Sequence, residues 1–208
     1  MHTPRHDLAR LAAILTERPL RILFSACLLG ESCTWDGKGF NPEVLQRIAK
    51  HPRVQAVRFC PEHFSFGTPR AFSSLHGGHG DDVLDGKATM RAVDGTDWTP
   101  GMLRAAEAMV AQAREHKVDV AIMLDISPSC GSHVVYLGDP AAKVYQQGRG
   151  VAAAALHRAG VPIIAQRDHL SVQRLLQLLE PDFVVDPAAF DFLDHPWYRE
   201  YFKGTDGP

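Results

Sequence analysis

Short, almost continuous apolar runs alternate along the chain with stretches of helical periodicity. The runs lie at Arg21–Ala26, Val54–Phe59, Val120–Leu124 and Val161–Ala165. Runs of this length are typical of strands that are buried on both faces of a parallel sheet. The stretches between them predict helices at residues 41–50, 99–117, 148–160 and 171–179. This alternation predicts an α/β fold, a single-domain, Rossmann-like open parallel sheet with helices on both faces.

The two ends of the chain lie outside this alternation. Near the start, Leu8, Leu11, Ala12 and Leu15 share one face of a predicted amphipathic helix. The last residues of the chain are rich in aromatic side chains. We therefore expect residues 1–20 to form a helical extension and residues 21–180 to form the domain. Residues 181–208 are expected to pack on the domain or on a partner subunit.

Residues 61–82 follow neither the helical nor the strand period. They are rich in Gly, Ser, His and Pro, and long segments of this kind are usually functional loops or disordered. We expect an ordered loop or a mobile flap here, followed by a short hairpin around residues 85–93. His76 and His79 lie in this segment as candidate metal ligands, but their glycine neighbours favour a solvated loop.

Composition narrows the class of partner. The 208 residues carry a net charge of -2 and a pI near 6.6, which argues against a nucleic-acid partner. No apolar run approaches the roughly 18 residues of a membrane span. The first residues lack the apolar segment and cleavage site of a secretory signal, so we expect a cytoplasmic protein.

Three of the four cysteines follow predicted strands. Cys27 and Cys60 come directly after the first two runs, and Cys130 lies in a Ser-Pro-Ser-Cys-Gly turn after the third, where Gly131 supplies backbone freedom. The carboxyl ends of parallel strands meet at the edge of a sheet where ligands bind. A single cysteine is more often a small buried apolar residue, but three at matching strand ends favour a metal centre. Three thiolates suit either an open zinc site or an iron–sulfur cluster, and the residues alone do not separate the two.

Polar residues beside these cysteines are candidates for catalysis. Glu62 can act as a general base near a metal centre, or it is a solvated loop residue or a helix cap. Ser127 and Ser129 can anchor a polar substrate or relay a proton, although capping the turn is an equal alternative. Cys33 is a candidate fourth ligand, but its different local context favours a packing role or a redox bystander.

Two further signals are weaker. Gly148, Arg149 and Gly150 precede a predicted helix, which is a weak indication of an anion site because many ordinary helices begin this way. Trp35 and Trp98 can stack a planar ring, but large aromatic side chains more often belong to the core.

Seven short motifs occur in a recognisable order. They are SACLLG at Ser25–Gly30, WDG at Trp35–Gly37, CPE at Cys60–Glu62, GTPR at Gly67–Arg70, GTD at Gly95–Asp97, SPSCG at Ser127–Gly131 and GRGV at Gly148–Val151. Together they resemble the bacterial thiouracil desulfidase family over about residues 21–165. The combination of the first motif with CPE and SPSCG is specific, whereas each motif alone is weak.

The resemblance implies a cofactor and a reaction. It implies an oxygen-sensitive [4Fe-4S] cluster held by Cys27, Cys60 and Cys130, whose fourth iron takes the sulfur of a thiolated nucleobase or nucleoside. Glu62 and a serine, Ser127 or Ser129, are implied for acid–base chemistry and substrate positioning. The expected reaction replaces C=S by C=O and releases hydrosulfide without net electron transfer. Two alternatives stay open, a non-catalytic zinc or iron–sulfur module and a sulfur-transfer enzyme that uses a persulfide on Cys33 or Cys27.

Overall fold

Four parallel strands form the central sheet of the protein, whose computed structural model describes residues 6–138 and 142–203. The strands in these ranges are β1 Leu20–Ser25, β2 Val54–Phe59, β3 Ser73–His76, β4 Thr89–Ala92, β5 Val120–Met123, β6 Val134–Tyr136, β7 Tyr145–Gln147 and β8 Ile163–Ala165. The sheet order is β2-β1-β5-β8, and all three neighbouring pairs are parallel. The predicted open parallel sheet is therefore confirmed.

Helices cover both faces of this sheet. The α-helices in the described ranges are α1 Ala9–Glu17, α2 Glu43–Lys50, α3 Pro61–Phe66, α4 Gly80–Leu84, α5 Thr99–Glu115, α6 Val151–Arg158, α7 His169–Leu179 and α8 Pro196–Tyr201. Ile22 and Phe24 of β1 pack with α1, α2 and α7, whereas Leu23 between them packs with α5 and α6. Because successive side chains of a strand point to opposite faces, this division explains the nearly continuous apolar runs.

The segment at residues 61–82 is not the long loop that the sequence predicts. It contains α3, β3 and the start of α4. Cys60 is the N-cap of α3, where its sulfur accepts a hydrogen bond from the His63 backbone N–H at 3.4 Å, and Pro61 takes the first helical position. The hairpin expected around residues 85–93 is also wrong, because β4 pairs antiparallel with β3, on the far side of α4.

The Asn-Pro and Thr-Pro pairs at residues 41–42 and 99–100 predict Asn41 and Thr99 as helix caps, but the caps of α2 and α5 each lie one residue away. Pro42 rather than Asn41 is the N-cap of α2, and no side chain bonds to its first turn. Trp98 rather than Thr99 is the N-cap of α5. The Thr99 hydroxyl instead accepts a hydrogen bond from the Met90 backbone N–H at 2.9 Å, so tertiary contact with β4 takes the side chain that sequence reasoning assigned to capping.

Both ends of the described chain pack against the sheet domain. Leu11 and Leu15 of α1 are buried in the same apolar cluster as α2 and α7. Near the other end, Phe192 and Tyr198 pack on Val134 of β6. The division into residues 1–20, 21–180 and 181–208 stays a prediction. Within the described ranges, no helix combines the length and apolar character needed to cross a membrane.

Candidate active site

The ends of three adjacent strands bring cysteines to one cavity. Cys27 lies in a 3₁₀ turn, Ala26–Leu29, directly after β1, while Cys60 directly follows β2 and Cys130 lies in the turn after β5. All three line a cavity of about 480 Å³, together with Cys33, and all four thiols are free. The structure thus brings the predicted cysteines to one edge of the sheet, while their role as ligands stays a prediction.

The spacing of the sulfur atoms bears on which metal group they fit. Among the described residues, no three cysteines form a group compact enough to hold a single metal ion. Three thiolates on a single zinc ion, with Zn–S bonds of about 2.3 Å, would place their sulfurs about 4 Å apart. An iron–sulfur cluster carries its thiolates on separate irons, so its cysteines stand farther apart. The donor set and its wider spacing therefore fit a cluster better than one zinc ion.

Cys33 lies in the same cavity as the three predicted ligands, and its assignment to packing or to a redox role stays a prediction. A hydrogen bond with the Cys27 thiol, and burial, raise the pKa of Cys33 to about 12, although contact with Cys60 opposes this. Its carbonyl lies 3.5 Å from the Cys60 sulfur, which donates to it. The Cys33 side chain therefore lies beside two predicted ligands.

The neighbouring thiols are held in their neutral form. The hydrogen bond with Cys33, followed by burial, raises the pKa of Cys60, and burial is the main cause of the raised pKa of Cys130. Metal ligation requires thiolates, so binding of a metal group here must release protons.

Glu62 is neither a solvated loop residue nor a simple helix cap. It lies in the first turn of α3, largely buried, with Arg70 donating to its Oε2 from Nε at 3.0 Å and from Nη2 at 2.8 Å. The hydroxyl of Ser129 donates to the other oxygen, Oε1. The carboxylate is therefore fixed on both sides at the edge of the cysteine cavity.

Arg70 is the site residue that sequence reasoning did not assign. Besides binding Glu62, its Nη1 donates to the carbonyls of Cys33 and Gly67 and to the Thr68 hydroxyl, each at 3.0 Å. It therefore ties the carboxylate to the loop that carries Cys33. The available signal was its place in the GTPR motif, but its partner becomes apparent only once α3 is known to exist.

The two serines of the SPSCG turn do different work. The Ser127 hydroxyl accepts the backbone N–H of Cys130 at 3.1 Å and that of Ser129 at 3.3 Å, so it caps the turn. The Ser129 hydroxyl faces Glu62 and lies 3.2 Å from the Ser127 oxygen. Of the two predicted serines, Ser129 is the one in contact with the candidate base.

Close backbone packing holds this turn against the start of α6. A Cβ on Gly131 would lie 2.4 Å from the Val134 carbonyl oxygen, so the glycine is required for space and not, as predicted, for backbone angle. A Cβ on Gly150 would lie 2.5 Å from the Ser129 carbonyl carbon. The first N–H groups of α6 donate to the turn itself, with Val151 bonding the Pro128 carbonyl at 2.9 Å. The weak anion-site prediction at Gly148–Gly150 is therefore wrong, because these donors are already used.

Aromatic side chains form one wall of the cavity. Trp35 meets Phe72 edge to face at 5.7 Å, and Phe72 meets Tyr136 in the same way at 5.6 Å. Trp35 is 48% exposed, so the prediction that it belongs to the core is wrong. Trp98 stacks on Phe66 at 4.1 Å and does not line this cavity. The wall offers flat apolar surface to a planar ring.

The predicted histidine pair does not form a metal site. His76 ends β3, where its Nε2 lies 3.1 Å from the Ser74 hydroxyl. His79 is the N-cap of α4, and its ring nitrogen accepts from the Asp81 backbone N–H. Each ring therefore has a local structural role, and the solvated loop that the sequence predicts at these positions is wrong.

Comparison with known proteins agrees with this geometry. Residues 22–168 match the model of the 2-thiouracil desulfurase family. The uncharacterized protein YbbK of Bacillus subtilis (strain 168) is 35% identical over 148 residues, which are 71% of this chain and 96% of YbbK. The solved structure of the [4Fe-4S]-dependent thiouracil desulfidase TudS is 26% identical, with a TM-score of 0.63, over 76% of this chain and 99% of TudS. This chain belongs to the 2-thiouracil desulfurase family.

Proposed function

We propose that the protein removes sulfur from a thiolated pyrimidine, a thiouracil-type base or nucleoside, to give the oxo base and hydrosulfide. Membership of the family and the likeness to TudS support this reaction. The observation that carries it is the meeting of Glu62 and Ser129 with four free cysteines in one aromatic-walled cavity. No net electron transfer is needed, since C=S and water become C=O and hydrogen sulfide.

The cysteines are proposed to hold a [4Fe-4S] cluster through Cys27, Cys60 and Cys130. When bound, such a cluster supplies a Lewis-acidic iron without a protein ligand, to which the thiocarbonyl sulfur of the substrate can attach. The aromatic wall and the turn that carries Ser129 line the same cavity as these cysteines, so a ring held at the cluster would have both within the cavity.

Glu62 is proposed to be the general base. Arg70 occupies Oε2, so Oε1 is the oxygen available to take a proton from a water molecule in the cavity. The oxygen of that water attacks the ring carbon that bears sulfur, and the C–S bond breaks as the C=O bond forms. A carboxylate in this role typically contributes a rate factor of about 10²–10⁴.

Ser129 and the aromatic wall position the reactants. The Ser129 hydroxyl donates a hydrogen bond to Glu62. It can at the same time accept one from the attacking water, so a proton can pass from the water through the hydroxyl to the carboxylate without movement of the carboxylate. Trp35, Phe72 and Tyr136 present flat faces and edges that hold the pyrimidine and exclude bulk water. Burial raises the pKa of Tyr136, so its hydroxyl stays protonated as a hydrogen-bond donor.

Anaerobic reconstitution with iron and sulfide tests the function directly. The reconstituted protein is offered 2-thiouracil, 4-thiouracil and their nucleosides, and hydrosulfide and oxo base are measured. We expect equal amounts of both products from at least one substrate. Iron-loaded protein without turnover would favour a non-catalytic module, and turnover that survives removal of iron would favour persulfide chemistry on Cys33 or Cys27.

A further inference from the structure

Three side chains from distant parts of the chain meet at a point that is not part of the cysteine cavity. His6 precedes α1, His133 precedes β6, and Asp168 is the N-cap of α7. Their ligand atoms all lie within 4.8 Å of one another. Nε2 of His6 is 2.9 Å from Oδ2 of Asp168, and Nε2 of His133 is 3.2 Å from the same oxygen.

Oδ2 of Asp168 has more hydrogen-bond donors around it than it has lone pairs. Oδ2 also accepts the Ala165 backbone N–H at 3.2 Å, so three nitrogens surround one oxygen atom. A carboxylate oxygen offers about two lone pairs. If Nε2 of either histidine carries no proton, its lone pair instead points at the negatively charged Asp168 oxygen. A cation shared by the two ring nitrogens and Oδ2 removes both conflicts.

The surroundings hold the three groups in place. Asp168 is fully buried, and its Oδ1 accepts the Phe192 backbone N–H at 3.1 Å. The His133 ring stacks on Phe192 with an interplanar angle of 10°, and the His133 backbone N–H donates to Asp125 at 3.1 Å. Partners that orient ligands in this way are a regular feature of metal sites. His6 is 23% exposed, which leaves the solvent side open for a water ligand.

We propose that His6, His133 and Asp168 bind one divalent transition-metal ion, with zinc as the ion their chemistry suits best. Zinc prefers imidazole nitrogen and carboxylate oxygen at about 2.0–2.2 Å, and a water completes its tetrahedron. The ion connects the segment before α1 to the start of α7. Because Phe192 contacts both Asp168 and His133, the ion also stabilises the packing of the chain beyond residue 180. His6 lies outside residues 22–168, so the site joins the domain to a part of the chain that the family match does not include.

The test uses the full chain with its cysteines already loaded by anaerobic reconstitution. After dialysis against a chelator, Zn²⁺ is titrated calorimetrically and Co²⁺ by visible absorption. We expect one ion per chain, a Co²⁺ spectrum without sulfur charge-transfer bands, and a Zn²⁺-dependent rise in melting temperature. Loss of His6 should weaken binding by more than the roughly 10- to 100-fold that loss of an outer-shell partner costs.

His6→Ala is the decisive variant because His6 is partly exposed and close to the chain end, so its removal leaves the core intact. His169→Ala, at an exposed histidine next to Asp168, is the matched control and should bind as the wild type does. Equal binding by His6→Ala and wild type would overturn the proposal. So would the absence of binding in the wild type, or a Co²⁺ spectrum dominated by thiolate ligation. None of these three results bears on the desulfidase reaction.

Discussion

Arg70 donates two hydrogen bonds to a single oxygen of Glu62, at 3.0 Å from Nε and 2.8 Å from Nη2. Both side chains are largely buried, and the remaining Glu62 oxygen meets the Ser129 hydroxyl. The guanidinium therefore holds the carboxylate in one orientation, and it leaves one defined oxygen for chemistry. Arg70 therefore positions the base, although none of its hydrogen bonds among the described residues goes to a cysteine sulfur.

Replacing Arg70 by lysine should separate the effect of its positive charge from the effect of its hydrogen-bond geometry. Lysine keeps the positive charge but cannot donate two fixed parallel bonds, so Glu62 gains freedom to tilt. We expect kcat to fall about 10²-fold, the cost of a misplacement near 1 Å, with KM and iron content unchanged. Steady-state kinetics and iron analysis measure this. Arg58→Lys, at an exposed residue of β2, is the matched control, and equal kinetics in the two variants would exclude the positioning role.

Glu62→Gln should keep the cluster and lose turnover. The amide is nearly the same size as the carboxylate but cannot accept a proton, so kcat should drop about 10²–10⁴-fold. Hydrosulfide release and the absorption of the reconstituted protein are measured together. The control is Glu31→Gln, which removes an exposed carboxylate 3.6 Å from Arg58. Full turnover by Glu62→Gln would remove Glu62 from the mechanism.

The two serines of the SPSCG turn should give opposite results on alanine substitution. Ser129→Ala removes the hydroxyl that faces Glu62, so kcat should fall while the free energy of unfolding stays nearly unchanged. Ser127→Ala leaves the buried N–H of Cys130 without its acceptor, so it should destabilise the protein by about 1–3 kcal/mol. Kinetics and urea unfolding of both variants decide the assignment. A catalytic loss confined to Ser127→Ala would reverse it.

Part of this architecture was predictable because it depends on local pattern. The two central strands, β1 and β5, are buried on both faces, so each reads as an apolar run. The edge strand β2 is only partly buried, so the prediction that it is buried on both faces is wrong. Cys27, Cys60 and Cys130 follow three of these runs, and the carboxyl ends of neighbouring parallel strands necessarily meet. Glu62 and Ser129 were found as candidates because each adjoins one of these cysteines.

The remainder was not predictable because it depends on contacts between distant residues. The six-residue α3 is too short to show a helical period, and its N-cap is a cysteine sulfur, which sequence rules do not favour at that position. Without α3, Arg70 has no evident partner. The strand β3 has only four residues and is defined by its pairing with β4. Likewise, His6 and Asp168 are 162 positions apart, and only the fold brings them together.

Cys60→Ser and Cys33→Ser should differ in iron content. The predicted ligand set is Cys27, Cys60 and Cys130, so Cys60→Ser should lose the cluster and all turnover. Cys33→Ser removes a thiol of the same cavity that lies outside this set, and it should keep about four irons per chain after anaerobic reconstitution. Iron and sulfide analysis, with the visible spectrum, measures the outcome. Loss of iron from Cys33→Ser would add Cys33 to the ligands.

Asp119 connects α1 to the central sheet through charge. Arg18, directly after α1, donates to its two carboxylate oxygens at 2.7 and 2.8 Å, and the Arg21 backbone N–H donates at 2.9 Å. Burial alone raises the pKa of Asp119, but the hydrogen bonds from Arg18 and from the Arg21 N–H outweigh it and lower the pKa. The carboxylate therefore contributes stability above the unfolded pKa of about 3.9, and this contribution is lost as the pH falls towards the folded pKa.

Asp119→Asn should for this reason destabilise the protein in a pH-dependent way. At pH 7 we expect a loss of about 1.5–3 kcal/mol in the free energy of unfolding, the value of hydrogen bonds to a charged group. As the pH falls below the unfolded pKa of about 3.9, the difference from the wild type should shrink, because the native carboxyl then also becomes protonated. Urea unfolding across this range measures it. Asp85→Asn, at an exposed carboxylate paired with Arg158 at 2.8 Å, is the control and should change the free energy of unfolding much less at neutral pH. A deficit in Asp119→Asn that is constant from pH 7 to pH 3 would show that packing, and not the ionised pair, stabilises this junction.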